Sequence, residues 1–128
     1  MADKPDAIEA LFSDSGAFDE ITAVTALQPY LTIQRSTNKI FFKESSLSVV
    51  KKILAYALAK KLLATKKHVP TDMITAIEFQ KATGINKGTI DPSFKTLKDK
   101  GFLVGKLEYE LPAHKIPSVI QMLNTNQK

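Results

Sequence analysis

The stretch TAIEFQKATGINKGTIDPSFKTLKDKGF, from Thr75 to Phe102, decides the fold through its spacing. Thr75-Ala76-Ile77-Glu78 has the form of a capping box, in which the threonine oxygen accepts from the amide three residues on and the glutamate carboxylate accepts from the threonine amide. It predicts a short helix from Ala76 to about Thr83. Gly84 suits a left-handed C-cap, Ile85 returns to the core, and Asn86 can cap a second helix. The result is a helix, a short glycine-containing turn and another helix.

The second helix turns Ile90, Phe94 and Leu97 inward, at steps of four and three, and ends at Gly101 after the basic turn around Lys98 and Lys100. Pro92 leaves two solutions open. Either the helix starts at Lys87 and bends at Pro92, or Asp91 is the N-cap, Pro92 the first helical residue and the preceding residues a looser turn. Beyond Gly101, Phe102-Leu103-Val104 and Leu107-Glu108-Tyr109-Glu110-Leu111 read as two strands joined by a turn at Gly105-Lys106. Leu107, Tyr109 and Leu111 are expected on a buried face, with Glu108 and Glu110 on an acidic one.

Helix, turn, helix and hairpin in this order resemble the winged helix-turn-helix superfamily, over about Leu47 to Leu111, roughly half the chain. The stretch from Lys87 to Phe102 is similar to the recognition helix of PadR-like transcriptional regulators: glycine, threonine, an apolar residue and proline precede a leucine and a glycine that leads into the wing. The resemblance implies an α+β winged helix that binds double-stranded DNA. Lys87, Thr89, Ser93 and Lys95 would face the duplex, and Asn86, Thr96 and the wing residue Lys106 complete the candidate set. Asn86 has the side chain suited to adenine, whereas lysines contribute phosphate affinity more readily than base discrimination. Asp91 stands where the family pattern has tyrosine. The chain's one arginine, Arg35, lies elsewhere, so the surface is lysine-type and weighted to phosphate.

Composition agrees with one domain. The 128 residues are 44% apolar and 24% charged, enough for a core without cross-links. With no cysteine in the sequence, disulfides, a thiol nucleophile and thiolate metal sites are excluded. His68 and His114 have no ligand-like spacing, so no metal or cofactor is expected. No apolar run is long enough for a membrane span and Met1 to Asp6 lacks the order of a secretory signal, so the chain reads as cytoplasmic. The net charge of +5 hides a division: through Glu20 there are six acids against Lys4 alone, and beyond it seventeen basic residues against seven acidic ones. That balance suits a polyanion, with the acidic segment either competing with phosphates or serving solubility.

The N-terminal residues 1–45 read as an extension packed on the same core: a helix over Pro5 to Phe12, a break at Ser13 to Gly16, a second helix with Phe18, Ile21, Val24 and Leu27 on one face, and a hairpin from Tyr30 to Lys43. The winged-helix domain covers 46–123. It opens with the strongest helix, Ser46 to Ala64, carrying Leu47, Val50, Ile53, Leu54, Ala57, Leu58 and Leu62 inward, with Lys51, Lys52, Lys60 and Lys61 read as a solvated face. It closes with Ile116, Val119, Ile120 and Leu123 at helical spacing, a stripe that either covers the core or makes a two-fold contact in a homodimer. Residues 124–128 are a frayed tail.

Leu54, Leu58, Phe79, Ile85, Ile90, Phe94, Leu97 and Phe102 are the expected core. No nucleophile elbow, phosphate loop or dinucleotide fingerprint is present, so the chain is not expected to be an enzyme. The competing reading is a winged-helix protein-interaction module. Paired recognition helices ~34 Å apart in a dimer would favour DNA, and an exposed apolar patch over the wing would favour a protein partner.

Overall fold

The computed structural model describes residues 20–43 and 47–125. The helix expected over Pro5 to Phe12, the break after it, Phe18, Ser46 and the last three residues lie outside the described residues. Among the described residues the fold is α+β: α1 (Glu20–Leu27), a hairpin of β1 (Leu31–Ile33) and β2 (Ile40–Phe42), α2 (Val49–Thr65), α3 (Ala76–Thr83), α4 (Lys87–Asp99), a second hairpin of β3 (Val104–Gly105) and β4 (Tyr109–Glu110), and α5 (Ile116–Thr125) after a short 3₁₀ turn.

Helix α2 is the centre. Ser48 Oγ caps it by accepting from the Lys51 amide at 3.3 Å, and it ends where Lys67 adopts a left-handed φ of 64°. Every residue from Ile53 to Ala59 is buried, Tyr56 included, so the buried surface is wider than a single stripe. Coverage from several sides explains it: α1, α4 and α5 all pack against α2, and Ala55, Ala57 and Ala59 keep those approaches close. Val50 and Leu62, at the margins, are half-buried.

The face expected for α1 is corrected. Ile21 is 77% exposed and Val24 also faces solvent, whereas Ala23, Ala26 and Leu27 are buried. Successive steps of three fall about 60° short of a full turn, so such a stripe drifts around the helix. The small alanines instead allow α1 to settle on α2 and α5. Tyr30 follows, buried, and its hydroxyl donates to the Leu123 carbonyl at 2.9 Å, tying this region to α5.

In the first hairpin Leu31 pairs with Phe42 and Ile33 with Ile40, with Leu31 and Ile40 buried and Thr32 exposed, following the alternation. The turn is closed by Asn38 at φ 59°, whose side-chain amide donates to the His68 carbonyl at 3.0 Å.

Local chemistry sets α3 and α4. Thr75 Oγ1 accepts from the Glu78 amide at 3.0 Å, Glu78 Oε1 accepts from the Thr75 amide at 3.4 Å, and Gly84 takes φ 75° at the C-terminus. Helix α4 begins at Lys87, capped by Asn86, and continues through Pro92, so its start is the earlier of the two and Asp91 is not the N-cap.

The second hairpin is shorter than expected. Gly105 pairs with Tyr109, so residues 106–108 form the connection and Leu107 sits in it rather than in a strand. Leu107 is therefore 86% exposed, a correction to the buried face expected for it, while Tyr109 is half-buried and Leu111 fully buried. Gly105, at φ 130°, is required: a Cβ there would meet the Glu108 carbonyl oxygen at 2.0 Å. Ile74 adds a third, one-residue strand, exchanging two hydrogen bonds with Tyr109, each 2.7 Å.

One cluster of buried side chains runs through α1, both hairpin regions and the remaining helices. Leu54, Leu58, Phe79, Ile90, Phe94 and Leu97 are in it, while Ile85 and Phe102 are half-buried at its edge. Leu103, fully buried, takes the inward position next to Phe102. Phe79 is the hub of an aromatic group, edge-on to Phe42, Tyr56 and Phe94 at centroid distances of 6.4, 5.6 and 6.1 Å. Ile116, Val119 and Leu123 of α5 are buried against α1 and α2, so this stripe is used within the chain.

Candidate nucleic-acid interface

Helix α4 is held on α2 and α3 by Ile90, Phe94 and Leu97, all at most 1% exposed, and that anchorage turns the opposite face to solvent. At about 100° per residue, Gly88, Pro92, Lys95 and Asp99 lie farthest from the core. Lys87, Asp91 and Lys98 form one flank, and Thr89, Ser93, Thr96 and Lys100 the other. Lys87 and Lys95 are about 80° apart around the axis, on adjoining parts of one exposed surface.

Each of those two lysines has a carboxylate beside it. Lys87 Nζ donates to Asp91 Oδ2 at 2.9 Å, and Lys95 Nζ lies 3.9 Å from Asp99 Oδ2. Both pairs are at i, i+4 spacing, a signal already present in the sequence. All four side chains are at least half exposed, where such pairs contribute only about 0–1 kcal/mol. A phosphate can therefore displace the carboxylates, while Lys98 and Lys100 add two further exposed basic groups at the helix end.

Two of the polar candidates are already engaged. Asn86 Oδ1 accepts from the Gly88 amide at 2.8 Å as the N-cap, so the carbonyl half of a bidentate adenine contact is occupied by the helix. Ser93 Oγ donates to the Thr89 carbonyl at 2.9 Å and keeps only acceptor capacity outward. Thr89 and Thr96 are exposed, as is Lys106 in the connection of the second hairpin. Of the candidates, Lys95 thus lies on the outermost part of α4, Lys87 on one flank and Thr89, Ser93 and Thr96 on the other, with Lys106 on a separate element.

Other charged residues proved structural. Lys60 and Lys61, read as solvated, have side chains only 14% and 12% exposed and pair at 2.5 Å with Glu78 and Asp72. Glu78 Oε2 also accepts from the Tyr56 hydroxyl at 2.9 Å. Burial, reinforced by the Glu78 charge and this hydrogen bond, raises the Tyr56 phenol well above the ordinary tyrosine range. Among the described residues there is no group of His, Cys, Asp and Glu side chains arranged to hold a metal ion, and no helix long and apolar enough to cross a membrane. No protein-family model, curated protein or solved structure matches the chain.

Proposed function

We propose that the chain is a winged helix-turn-helix protein that binds duplex DNA through the exposed face of α4, as a transcriptional regulator does. The observation that carries this reading is the pairing of Ile74 with Tyr109. It joins the segment before α3 to the second hairpin, so the order becomes helix α2, strand, α3, α4 and a two-stranded wing around one core. On this reading the exposed side of α4 is the recognition face.

The composition of that face predicts the type of binding. Lysines dominate over groups that read base edges, Asn86 serves as a cap, and two aspartates temper the charge. Binding is accordingly salt-sensitive, with modest discrimination among sequences. Fluorescence anisotropy of the full chain with random-sequence duplex, across a salt series, tests this. A linear fall of log K with log salt is expected, and Lys87→Ala and Lys95→Ala should each weaken all duplexes alike and flatten the slope by about 0.9. Absence of binding at low salt overturns the reading.

One observation favours a second reading, a protein-interaction module. Leu107 and Val104 are 86% and 47% exposed on the second hairpin, so this element shows solvent two large apolar side chains beside a single basic residue, Lys106. On this reading Leu107→Ser abolishes partner binding, and the α4 lysine variants leave it intact.

A further inference from the structure

The first hairpin and α3, which pack against each other, border an open groove of about 610 Å³. We propose that this groove binds a small organic carboxylate with an apolar body. The proposal is independent of what α4 binds.

Two kinds of side chain converge there. Phe41 and Ile77 are 44% and 56% exposed, although neither lies in a loop, and with Ile40 and Ala82 they make apolar walls. Their exposure has a local cause: Phe41 alternates outward between Ile40 and Phe42, and Ile77 sits on the first turn of α3 on the side away from the core. Exposed apolar side chains scattered singly need no explanation, but two facing one concavity of ligand size mark a binding surface.

The charges define which ligand. Lys39 and Lys81 line the same groove, and among the described residues neither ammonium has a carboxylate within ion-pair distance. The contrast with Lys60 and Lys61, both paired, is local and direct. Glu78 also borders the groove, yet Lys60 and the Tyr56 hydroxyl both engage its Oε2, so its charge is compensated from below. What remains is an apolar wall with two available cations, complementary to an apolar body carrying one negative group. A cationic ligand would meet Lys39 and Lys81 unfavourably.

The test is an amide-resolved NMR titration of the full chain with 3-phenylpropionate and with octanoate, each matched by its neutral primary amide. Saturable shifts at Phe41, Ile77 and Lys81 are expected with at least one acid, at least about tenfold stronger than with the matched amide, the factor that about 1.4 kcal/mol of charge-assisted contact supplies. Lys39→Met combined with Lys81→Met should remove that tenfold preference, whereas Phe41→Ala should weaken acid and amide together. All three positions are exposed, and circular dichroism of each variant verifies that the fold is retained. Equal binding of acid and amide, shifts confined to other surfaces, or no saturable shift with either acid overturns the proposal.

Discussion

Tyr56 Oη donates to Glu78 Oε2 at 2.9 Å, across 22 positions of sequence, and joins the central helix α2 to the N-terminal turn of α3. The same carboxylate accepts from Lys60 and, through Oε1, from the Thr75 amide. One side chain therefore acts as a local helix cap and as a tertiary link.

The Tyr56 phenol has a measurable consequence. Because burial raises its folded pKa, folding favours the protonated form. The contribution is complete below the unfolded tyrosine pKa of about 10 and is lost as pH rises from there toward the folded value. Urea unfolding across alkaline pH should show stability falling above about pH 10, and Tyr56→Phe should make that fall shallower. An identical pH dependence in the variant would contradict the assignment.

Two left-handed glycines should differ when replaced by alanine. Gly84 has φ 75° with no atom within 4 Å of an added Cβ, so Gly84→Ala should cost about 1 kcal/mol from backbone conformation alone. Gly105 combines φ 130° with the 2.0 Å clash against Glu108, and Gly105→Ala should cost about 2–3 kcal/mol and disrupt the second hairpin. Chemical denaturation gives the order, and loss of the Ile74–Tyr109 amide protection reports the hairpin.

Phe79 should be the most sensitive position of the core. It is fully buried and meets aromatic rings from β2, α2 and α4, so Phe79→Ala removes contacts to three elements and leaves a cavity. A loss of about 3–5 kcal/mol is expected in denaturant unfolding. Exposed Ile21→Ala, by comparison, should change stability by less than about 0.5 kcal/mol, in keeping with its position on the outer face of α1.

If α4 contacts phosphate, its aspartates oppose binding. Asp91→Asn and Asp99→Asn should each tighten duplex binding by about two- to fivefold at low salt, since each releases a lysine from a weak exposed pair and removes a negative charge. Unchanged or weakened affinity in both variants would place the DNA surface elsewhere.

The helices around the turn were legible in the sequence because their signals act within four residues. Thr75, Glu78, Gly84 and Asn86 satisfy backbone groups of their own helices, and the spacing of Ile90, Phe94 and Leu97 follows the helical repeat. The pairing of Lys87 with Asp91 was equally local and equally readable. The second hairpin was harder, because a strand of two residues leaves no alternation long enough to fix its register.

By itself, then, the sequence determined where α3 starts and stops, which side of α4 and of α5 turns inward, and that cysteine chemistry has no part in this chain. Only the tertiary structure decided that α1 buries its alanines, that Ile74 becomes a strand against Tyr109, and that Lys60 and Lys61 are ion-paired rather than solvated. Capping and helical periodicity are short-range and repeat the same geometry wherever they occur. Which face of α1 packs, and which acid meets Lys60 18 positions away, depend on how separate elements dock, and that is set by the combined shape and charge of neighbours that no single segment contains.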